Sequence, residues 1–318
     1  MDRFKHNSMD ATELDVIIIG GGPAGLSTAL WCAELGLTAR IIDIRTEFGG
    51  QLLRIFGRIT NYLGFDAQSG RHLRDRFVEH LAAIEFERSL GSGVTGVDLG
   101  SKRISLIDGS VYQARTLVIA TGVRRRKLNI AGEDTFQGRG ILRSGVDEQN
   151  LVIGKRVVIV GGGDAALENA ALLAPVAERV FIVHRREGFF ARPQFVEAIA
   201  QFDNVECVFS SIVTEINGSE KVESVTLLGS ESVEIMADSV LIRIGVQPNS
   251  DLFRGQVDLD RIGYLVVDRD CKTSVSGVFA VGDVANPISP TISTAVGMGA
   301  TAAKSIFKMI RTDQQGDL

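Results

Sequence analysis

The chain has 318 residues, of which 45% are apolar and 23% charged, and its net charge is −5. This length is enough for two domains, and the composition is typical of a globular protein. The negative charge argues against general nucleic-acid binding. The three cysteines, Cys32, Cys207 and Cys271, form no C-x-x-C or zinc spacing, so no metal site is expected.

Residues 1–13 are polar and mixed in charge, and they lack the apolar core of a signal peptide. They predict a disordered leader. The most apolar run, residues 16–33, contains four glycines and a proline, which argues against a membrane span. We therefore expect a cytoplasmic protein without membrane association.

The first organised stretch is an apolar run, Val16–Ile19, that ends in Gly20-x-Gly22-x-x-Gly25. The run predicts a buried parallel strand, and Leu26–Glu34 predicts the helix that follows. Gly20 permits a tight turn, Gly22 lets a diphosphate approach the backbone, and Gly25 lets the helix pack on the strand. The free N–H groups of that helix then face the phosphates.

A second apolar strand, Ala39–Ile42, ends at Asp43, which lies 18 residues beyond Gly25. A carboxylate at this position accepts a hydrogen bond from a ribose hydroxyl. The strand, glycine turn, helix, strand and acid together predict a dinucleotide site.

The chain then continues with a glycine pair, Gly49-Gly50, whose backbone can lie close to a flat or charged group. Gly70–Glu85 has the apolar spacing of a helix, and residues 86–116 predict short strands. Leu117–Thr121 predicts a buried strand that ends at Gly122.

The glycine pattern occurs a second time in the middle of the chain. Arg156–Val160 leads into Gly161-x-Gly163-x-x-Ala166, which is followed by a helical run to Leu173 and a strand, Arg179–Val183. His184 follows Gly161 by 23 residues, as Asp43 follows Gly20 by 23. The chain therefore predicts two nucleotide-binding units, and two nucleotides in one chain indicate electron transfer between cofactors.

A third segment also recurs, because Leu117–Gly122 resembles Leu241–Gly245. The last section contains a short apolar strand that ends in Gly282-Asp283, and then a helix from about Thr291 to Met309. We place the crossings between domains near Gly122–Arg126 and at Gly245–Asn249.

The predicted fold is α/β, with two Rossmann-like, three-layer ββα dinucleotide-binding domains, the second inserted in the first. The first domain comprises residues 1–122 and 246–318, and the second comprises residues 123–245.

Four motifs in this order resemble those of the low-molecular-weight thioredoxin reductase-like flavoproteins, over about residues 14–311. The resemblance implies that the first and last segments bind FAD, that the middle domain binds NADPH, and that the protein is a homodimer. The motifs are Gly20-x-Gly22-x-x-Gly25, Thr121-Gly122, Gly161-x-Gly163-x-x-Ala166 and Gly282-Asp283.

The resemblance also implies which residues bind the cofactors. Those implied for FAD are Gly20, Gly22, Pro23, Ala24, Gly25, Asp43, Gly50, Gln51, Asn61, Thr121, Gly122, Gly282, Asp283, Thr291, Ile292 and Ala295. Those implied for NADPH are Gly161, Gly163, Asp164, Ala165, Ala166, His184, Arg185, Arg186, Arg192 and Gly245.

Thioredoxin reductases carry C-x-x-C shortly before the second glycine motif, where this chain has Ser144–Asp147. A dithiol relay needs two thiols, and no cysteine lies between Cys32 and Cys207. In this respect the chain is similar to ferredoxin–NADP reductases of thioredoxin-reductase type, which pass electrons from flavin to a one-electron carrier such as ferredoxin or flavodoxin. That branch usually has a C-terminal extension over the flavin, and this chain ends soon after its last helix. Asp147 is a candidate proton donor near the flavin, or a turn residue.

Arg185 and Arg186 stand where the first unit has an acid, and two guanidiniums bind a 2′-phosphate well. They favour NADPH over NADH by roughly a hundredfold or more, unless they form only a solvated basic turn. The family pattern has a further arginine where this chain has Phe190, and Arg192 is a candidate substitute. Alternatively, Phe189 and Phe190 stack on an adenine or on another nucleotide, even a second flavin.

The basic run Arg124–Lys127 either steers an acidic redox protein or is a solvated surface. The sequence therefore predicts, first, an FAD-dependent oxidoreductase between NADPH and a one-electron carrier. The alternatives are a disulfide oxidoreductase that acts on thioredoxin without its own C-x-x-C, and a non-enzymatic flavin-binding redox sensor.

Overall fold

The computed structural model of the protein describes residues 14–316, so the predicted leader at residues 1–13 lies outside the described residues. Within them the chain divides into two compact units. One contains the segment that ends at Arg124 and the segment that begins at Gln247, and the other runs from Arg125 to Val246.

The described residues form seventeen strands and five α-helices. The strands are β1 (Leu14–Ile19), β2 (Ala39–Asp43), β3 (Glu87–Leu90), β4 (Val94–Asp98), β5 (Arg103–Leu106), β6 (Val111–Ile119), β7 (Val123–Arg125), β8 (Ile141–Leu142), β9 (Arg156–Val160), β10 (Arg179–Val183), β11 (Val205–Val208), β12 (Ile212–Asn217), β13 (Ser224–Leu228), β14 (Ser232–Met236), β15 (Ser239–Ile242), β16 (Val246–Pro248) and β17 (Val278–Ala280). The helices are α1 (Pro23–Glu34), α2 (Gly70–His80), α3 (Asp164–Leu173), α4 (Pro193–Ile199) and α5 (Ile292–Gly316).

The first unit is built on a parallel sheet in the order β3-β2-β1-β6, with β17 also paired to β6. The first part of β6 pairs with the antiparallel strands β5 and β4 instead. One face of the parallel sheet packs against α1 and α5, and the other packs against apolar residues of the antiparallel layer. Because both faces are covered, Val16, Ile17 and Ile18 are all buried.

The second unit repeats this plan. Its parallel sheet has the order β11-β10-β9-β15-β8, and β12, β13 and β14 form an antiparallel layer. Residues of α3 pack on one face of the parallel sheet, and the antiparallel layer packs on the other. Each unit is therefore a three-layer ββα structure, as expected from the sequence.

Several predicted elements differ in length from those observed. The helix predicted over Gly70–Glu85 ends at His80, where Leu81 bonds back to Phe77 and Glu79 and a 3-10 turn follows. The final helix continues past Met309 to Gly316. The strand β8 was not predicted, because two residues are too few to show a period.

No helix in residues 14–316 is long and apolar enough to cross a membrane.

Helices α1 and α5 pack closely because α5 carries glycine at the contact. A Cβ added at Gly299 would lie 2.5 Å from the carbonyl oxygen of Ala24 and 2.9 Å from the Cβ of Ser27. The hydroxyl of Ser27 donates to the carbonyl oxygen of Val296 at 2.7 Å, which holds the two helices at this distance. Gly297, on the exposed side of the same helix, has nothing within 4 Å of such a Cβ.

We expect Gly299→Ala to lower the free energy of unfolding by about 1–3 kcal/mol, because the two helices must move apart. Gly297→Ala is the matched control, and it should raise the free energy of unfolding by up to about 1 kcal/mol through helix propensity. Urea denaturation of both variants measures the difference. Equal effects would show that the Gly299 contact does not set the helix spacing.

Candidate functional site

A cavity of about 450 Å³ lies in the first unit, at the carboxyl ends of β1, β2 and β6. In a parallel sheet this edge is where ligands bind, because the connecting loops diverge there. Its lining includes Gly20, Gly22, Asp43, Arg45, Gly50, Arg54, Ala120, Thr121 and Asp283.

The glycines of the first motif leave bare backbone along this cavity. Gly20 has a φ of +115°, and a Cβ there would collide with the carbonyl oxygen of Ala120. A Cβ on Gly50 would lie 2.9 Å from the Cα of Gly22. A Cβ on Gly25 would collide with the carbonyl oxygen of Gly20, so Gly25 serves the contact between helix and strand. The cavity therefore has a cradle of bare backbone at Gly20, Gly22 and Gly50, and a side chain at any of these positions would fill it.

Helix α1 begins at this cradle without a side-chain cap. Its N-cap is Gly22, and Pro23 occupies the first helical position. The first N–H groups of the helix have no protein side chain to bond to, and the helix dipole adds positive potential. This arrangement is suited to a diphosphate.

The Asp43 carboxylate is buried and held in place by two backbone donors. The N–H of Gly21 donates to Oδ2 at 2.6 Å, and the N–H of Arg45 donates to Oδ1 at 2.8 Å. Each oxygen retains a lone pair on the cavity side for a further donor. This geometry fits the predicted bond to a ribose hydroxyl.

Arg45 and Arg54 also line the cavity, and neither was singled out from the sequence. Among the described residues neither forms an ion pair with a carboxylate, and partial burial and then the charge of Arg45 lower the pKa of Arg54. Two uncompensated guanidiniums in one cavity attract an anion. The only indication in the sequence was that Arg45 lies two residues after Asp43 and that Arg54 lies three residues after Gln51.

The far side of the cavity contains Asp283, and burial raises the pKa of its carboxyl. Asn249 holds the end of the strand at Thr121 through two hydrogen bonds of 2.8 Å. The hydroxyl of Thr121 donates to the backbone carbonyl oxygen of Asn249, and the side-chain amide of Asn249 donates to the backbone carbonyl oxygen of Thr121. These contacts give the lining a defined shape. The side-chain amide of Gln51 donates to the carbonyl oxygen of Val123, which holds the glycine-pair loop against the same wall.

The structure brings nearly all of the residues predicted for FAD to this cavity. The exceptions are Gly25, which lies beneath the helix, and Asn61, which is not among the lining residues.

The second unit has a corresponding cradle. Gly161 has a φ of +151°, and a Cβ there would collide with the carbonyl oxygen of Arg243. Gly163 is the N-cap of α3 and supplies no side-chain cap, and Asp164 stands in the first turn. The predicted residues Ala165 and Ala166 follow in α3, and Gly245 lies beyond β15 in a left-handed conformation.

His184 occupies the position of Asp43 but makes different contacts. Its ring lies against Gly162, where an added Cβ would collide with it. Burial, then the charges of Arg186 and Arg185, lower the pKa of His184, and its buried Nε2 has no hydrogen-bond partner within the described residues. A neutral imidazole with a free nitrogen can bond to a ligand.

The basic residues of this unit separate into two groups. Arg185 and Arg186 are exposed and form no ion pair with a carboxylate of the described residues. Arg192 is occupied, because its Nε donates to Asp164 at 2.6 Å and its backbone N–H donates to the other oxygen at 2.8 Å. The idea that Arg192 replaces the missing family arginine therefore finds no support in the geometry.

The ring of Phe190 covers part of the second cradle. A Cβ added at Gly163 would lie 2.8 Å from this ring, which is 65% exposed. The guanidinium of Arg186 lies over the ring at 5.6 Å. Because so much of the ring faces solvent, it can move aside for a ligand or stack on it.

The segment at the family position of the dithiol, Ser144–Asp147, forms a turn. The N–H of Asp147 donates to the hydroxyl of Ser144 at 3.2 Å, and the N–H of Ser144 donates to Glu148 at 3.0 Å. Asp147 is exposed, which agrees with its interpretation as a turn residue.

The pKa values of all three thiols are raised above the ordinary value. Burial, and then Asp15, raise the pKa of Cys32 to about 12, and burial, then Asp268 and Asp270, raise the pKa of Cys271 to about 11. Burial and then Glu206 raise the pKa of Cys207. Since the thiolate is the reactive form, none of these cysteines is suited to electron relay.

The basic run at residues 124–127 is largely engaged within the chain. Arg124 donates to Asp251 at 2.5 Å and to the side chain of Asn249 at 2.9 Å. Arg126 donates to the carbonyl oxygen of Val246, and Lys127 donates to Asp134. These contacts leave little of the run for a partner protein.

Comparison with known proteins shows where the chain belongs. The family model described as pyridine nucleotide-disulphide oxidoreductase matches residues 14–299. The chain is a member of this family.

Its relatives include proteins of thioredoxin reductase type. It is 34% identical over 301 residues to a thioredoxin reductase of Listeria innocua, with 93% of each chain covered. It is 30% identical over 302 residues to the 34.2 kDa protein in a rubredoxin operon of Clostridium pasteurianum, with 94% of this chain and 97% of that protein covered. The crystal structure of Lactococcus lactis thioredoxin reductase is similar, with a TM-score of 0.83 and 30% identity over 94% of this chain and all of that one.

These findings confirm the resemblance to thioredoxin reductase-like flavoproteins and the fold with two Rossmann-like domains. The protein is an oxidoreductase, and its cofactors are FAD and NADPH. The geometry of this chain fits both, since each unit has a glycine cradle at a helix N-terminus, and each cradle is accompanied by guanidiniums that pair with no carboxylate in the part of the chain that the structure describes.

We expect Arg54→Gln to weaken FAD binding by about tenfold or more, because one charge-assisted bond to the diphosphate is lost. Arg58→Gln is the matched control, since Arg58 is exposed and pairs with Asp66 instead of lining the cavity. The measurement is the FAD dissociation constant, from flavin fluorescence on dilution of the reconstituted proteins. If both variants retain FAD equally, Arg54 does not contact the diphosphate.

Proposed function

We propose that this protein oxidises NADPH and passes the electrons to a one-electron carrier such as ferredoxin or flavodoxin, without any protein thiol. The observation that carries the proposal is that no cysteine lies between Cys32 and Cys207. The three cysteines present have raised thiol pKa values and are unsuited to relay. Bound FAD supplies the needed chemistry, because it takes up two electrons together and releases them singly.

In this proposal the first unit is the FAD domain, with residues 1–122 and 246–318, and residues 123–245 form the NADPH domain. The cradle at Gly20, Gly22 and Gly50, together with Arg45 and Arg54, binds the diphosphate of FAD. Asp43 accepts from the adenosine ribose. Asp283 lines the same cavity and is proposed to accept from the ribityl chain.

The second unit is proposed to bind NADPH through Gly161 and Gly163, with the exposed pair Arg185 and Arg186 on the 2′-phosphate. Both guanidiniums are free of carboxylate partners among the described residues, so binding a phosphate breaks no ion pair. His184 is buried and has an unbonded nitrogen, which a ribose hydroxyl of the coenzyme can satisfy.

The descriptions of the relatives are compatible with a one-electron carrier or with a disulfide as the acceptor. One relative is described as a protein in a rubredoxin operon. Others are described as thioredoxin reductases. A second candidate function is therefore reduction of an external disulfide such as that of thioredoxin, with no dithiol in this chain. Rapid reduction of thioredoxin, together with no reduction of ferredoxin, would establish this second function instead.

We also propose a cytoplasmic homodimer, by analogy with the family. Light scattering that gives the monomer mass of 34.3 kDa at micromolar concentration would contradict the dimer.

We expect the double variant Arg185→Ala, Arg186→Ala to weaken NADPH binding by roughly a hundredfold and to change NADH binding little. The two guanidiniums contact only the 2′-phosphate, which NADH lacks. Arg179→Ala is the control, because Arg179 pairs with Glu206 at the opposite edge of the same sheet. The measurement is the dissociation constants of NADPH and NADH for the native protein, the double variant and the control. An equal loss of affinity for both coenzymes would refute the assignment of Arg185 and Arg186 to the 2′-phosphate.

We expect the triple variant Cys32→Ala, Cys207→Ser, Cys271→Ala to retain NADPH-dependent reduction of ferredoxin. Two of the replaced thiols are buried, so the variant will be less stable, by about 1–3 kcal/mol per site. Its FAD content and circular dichroism therefore serve as folding controls. A variant that is folded and loaded with FAD but fails to reduce ferredoxin would show that a thiol takes part.

A further inference from the structure

Arg243 lies directly after β15, at the carboxyl edge of the sheet in the second unit. Its backbone N–H donates to the carbonyl oxygen of Val160 at 2.7 Å. Its own carbonyl oxygen lies beneath Gly161, since a Cβ added at Gly161 would collide with it. Arg243 is therefore next to the first residue of the second glycine motif.

The first unit has the same construction with a different residue. The N–H of Ala120 donates to the carbonyl oxygen of Ile19 at 2.9 Å, and the carbonyl oxygen of Ala120 lies beneath Gly20 in the same way. The strand pairs that precede the two glycine turns share one register. Ala120 and Arg243 are thus equivalent positions, and Ala120 lines the cavity of the first unit. In the second unit this position carries a guanidinium instead of a methyl group.

The guanidinium of the partly buried Arg243 bonds to two backbone carbonyl oxygens. Its Nη1 donates to the carbonyl oxygen of Ile242 at 2.9 Å, and its Nη2 donates to that of Arg143 at 3.3 Å. No carboxylate of the described residues lies at ion-pair distance from it. Burial, and then the charge of Arg125, lower the pKa of Arg243 to about 9, although Glu148 and Glu168 act in the opposite direction.

Two carbonyl bonds leave three N–H donors of the guanidinium unused by side-chain or backbone acceptors. A partly desolvated cation with no carboxylate beside it is stabilised by a bound anion. The anion must reach the carboxyl edge of the sheet next to Gly161, which is where a dinucleotide places its diphosphate.

The helix end beside this position offers less to a diphosphate than α1 does. The first turn of α3 carries Asp164, whose carboxylate is already paired with Arg192. The ring of Phe190 covers Gly163. A carboxylate and an aromatic ring at the cradle weaken its attraction for phosphate, and a nearby guanidinium offsets this loss.

We propose that Arg243 binds the diphosphate of the nicotinamide coenzyme, an inference that depends on the proposed docking of the coenzyme in the second unit. The diphosphate is common to NADPH and NADH, so Arg243 sets the affinity for both coenzymes. The choice between them belongs to Arg185 and Arg186. The two groups of arginines therefore have separable effects.

The experiment is calorimetric titration of the FAD-loaded protein with NADP⁺, NAD⁺ and adenosine 2′-monophosphate, which carries the 2′-phosphate but no diphosphate. The variants are Arg243→Gln, which removes the charge and keeps much of the volume, and Arg243→Lys, which keeps the charge and loses the fork. Arg179→Gln is the matched control, because it removes one charge at the opposite edge of the same sheet.

For Arg243→Gln we expect the dissociation constants of NADP⁺ and NAD⁺ to rise by similar factors of about tenfold or more, and that of adenosine 2′-monophosphate to stay within about twofold. Arg243→Lys should recover part of the loss. The double variant of Arg185 and Arg186 should show the reverse pattern, with NAD⁺ spared and the monophosphate lost.

The inference is overturned if Arg243→Gln binds NADP⁺ and NAD⁺ as well as Arg179→Gln does. It is also overturned if the monophosphate weakens as much as the dinucleotides, because Arg243 would then only support the fold of the site. Native protein that binds neither NADP⁺ nor NAD⁺ would instead contradict the proposed function, and the inference with it.

Discussion

The structure depends on one constraint, which is the close approach of bare backbone at the glycine turns where β1 and β9 end. Gly20 and Gly161 both lie so near the next strand that a Cβ would collide with a carbonyl oxygen. Their left-handed conformations turn the chain within a few residues and point the N-terminus of the following helix at the sheet edge. The buried strands, the helix packing and the cradle all follow from that turn.

The two units use this constraint with different side chains. In the first, Asp43 accepts from Gly21, and two of the guanidiniums that line the cavity come from Arg45 and Arg54. In the second, a neutral His184 lies against the equivalent glycine, and Arg243 replaces the small residue at the strand end. In our proposal the shared backbone gives both units a site for a diphosphate, and the side chains adapt each site to its own nucleotide.

Much of this architecture could be predicted from sequence, because glycine spacing and apolar runs report local steric demands. The repeated motifs predicted both nucleotide-binding units, and most of the residues expected to bind FAD line the cavity of the first unit. The guanidiniums were harder to predict. Arg45, Arg54 and Arg243 were proposed as ligand-binding groups because they form no ion pair with a carboxylate of residues 14–316, and that is a property of the folded chain. The contact between Arg192 and Asp164 was missed for the same reason, since 28 residues separate them.

The absence of a dithiol, by contrast, is visible in the sequence, and the structure adds that burial and nearby carboxylates raise the pKa values of the remaining thiols. In the proposed function, electron transfer therefore depends on the flavin alone. Reductive titration of the FAD-loaded protein under anaerobic conditions tests this claim most directly. Full reduction should consume about two electrons per FAD, because the proposal makes flavin the only redox centre. Consumption of about four electrons per FAD would reveal a second centre, such as a disulfide, and would contradict the account.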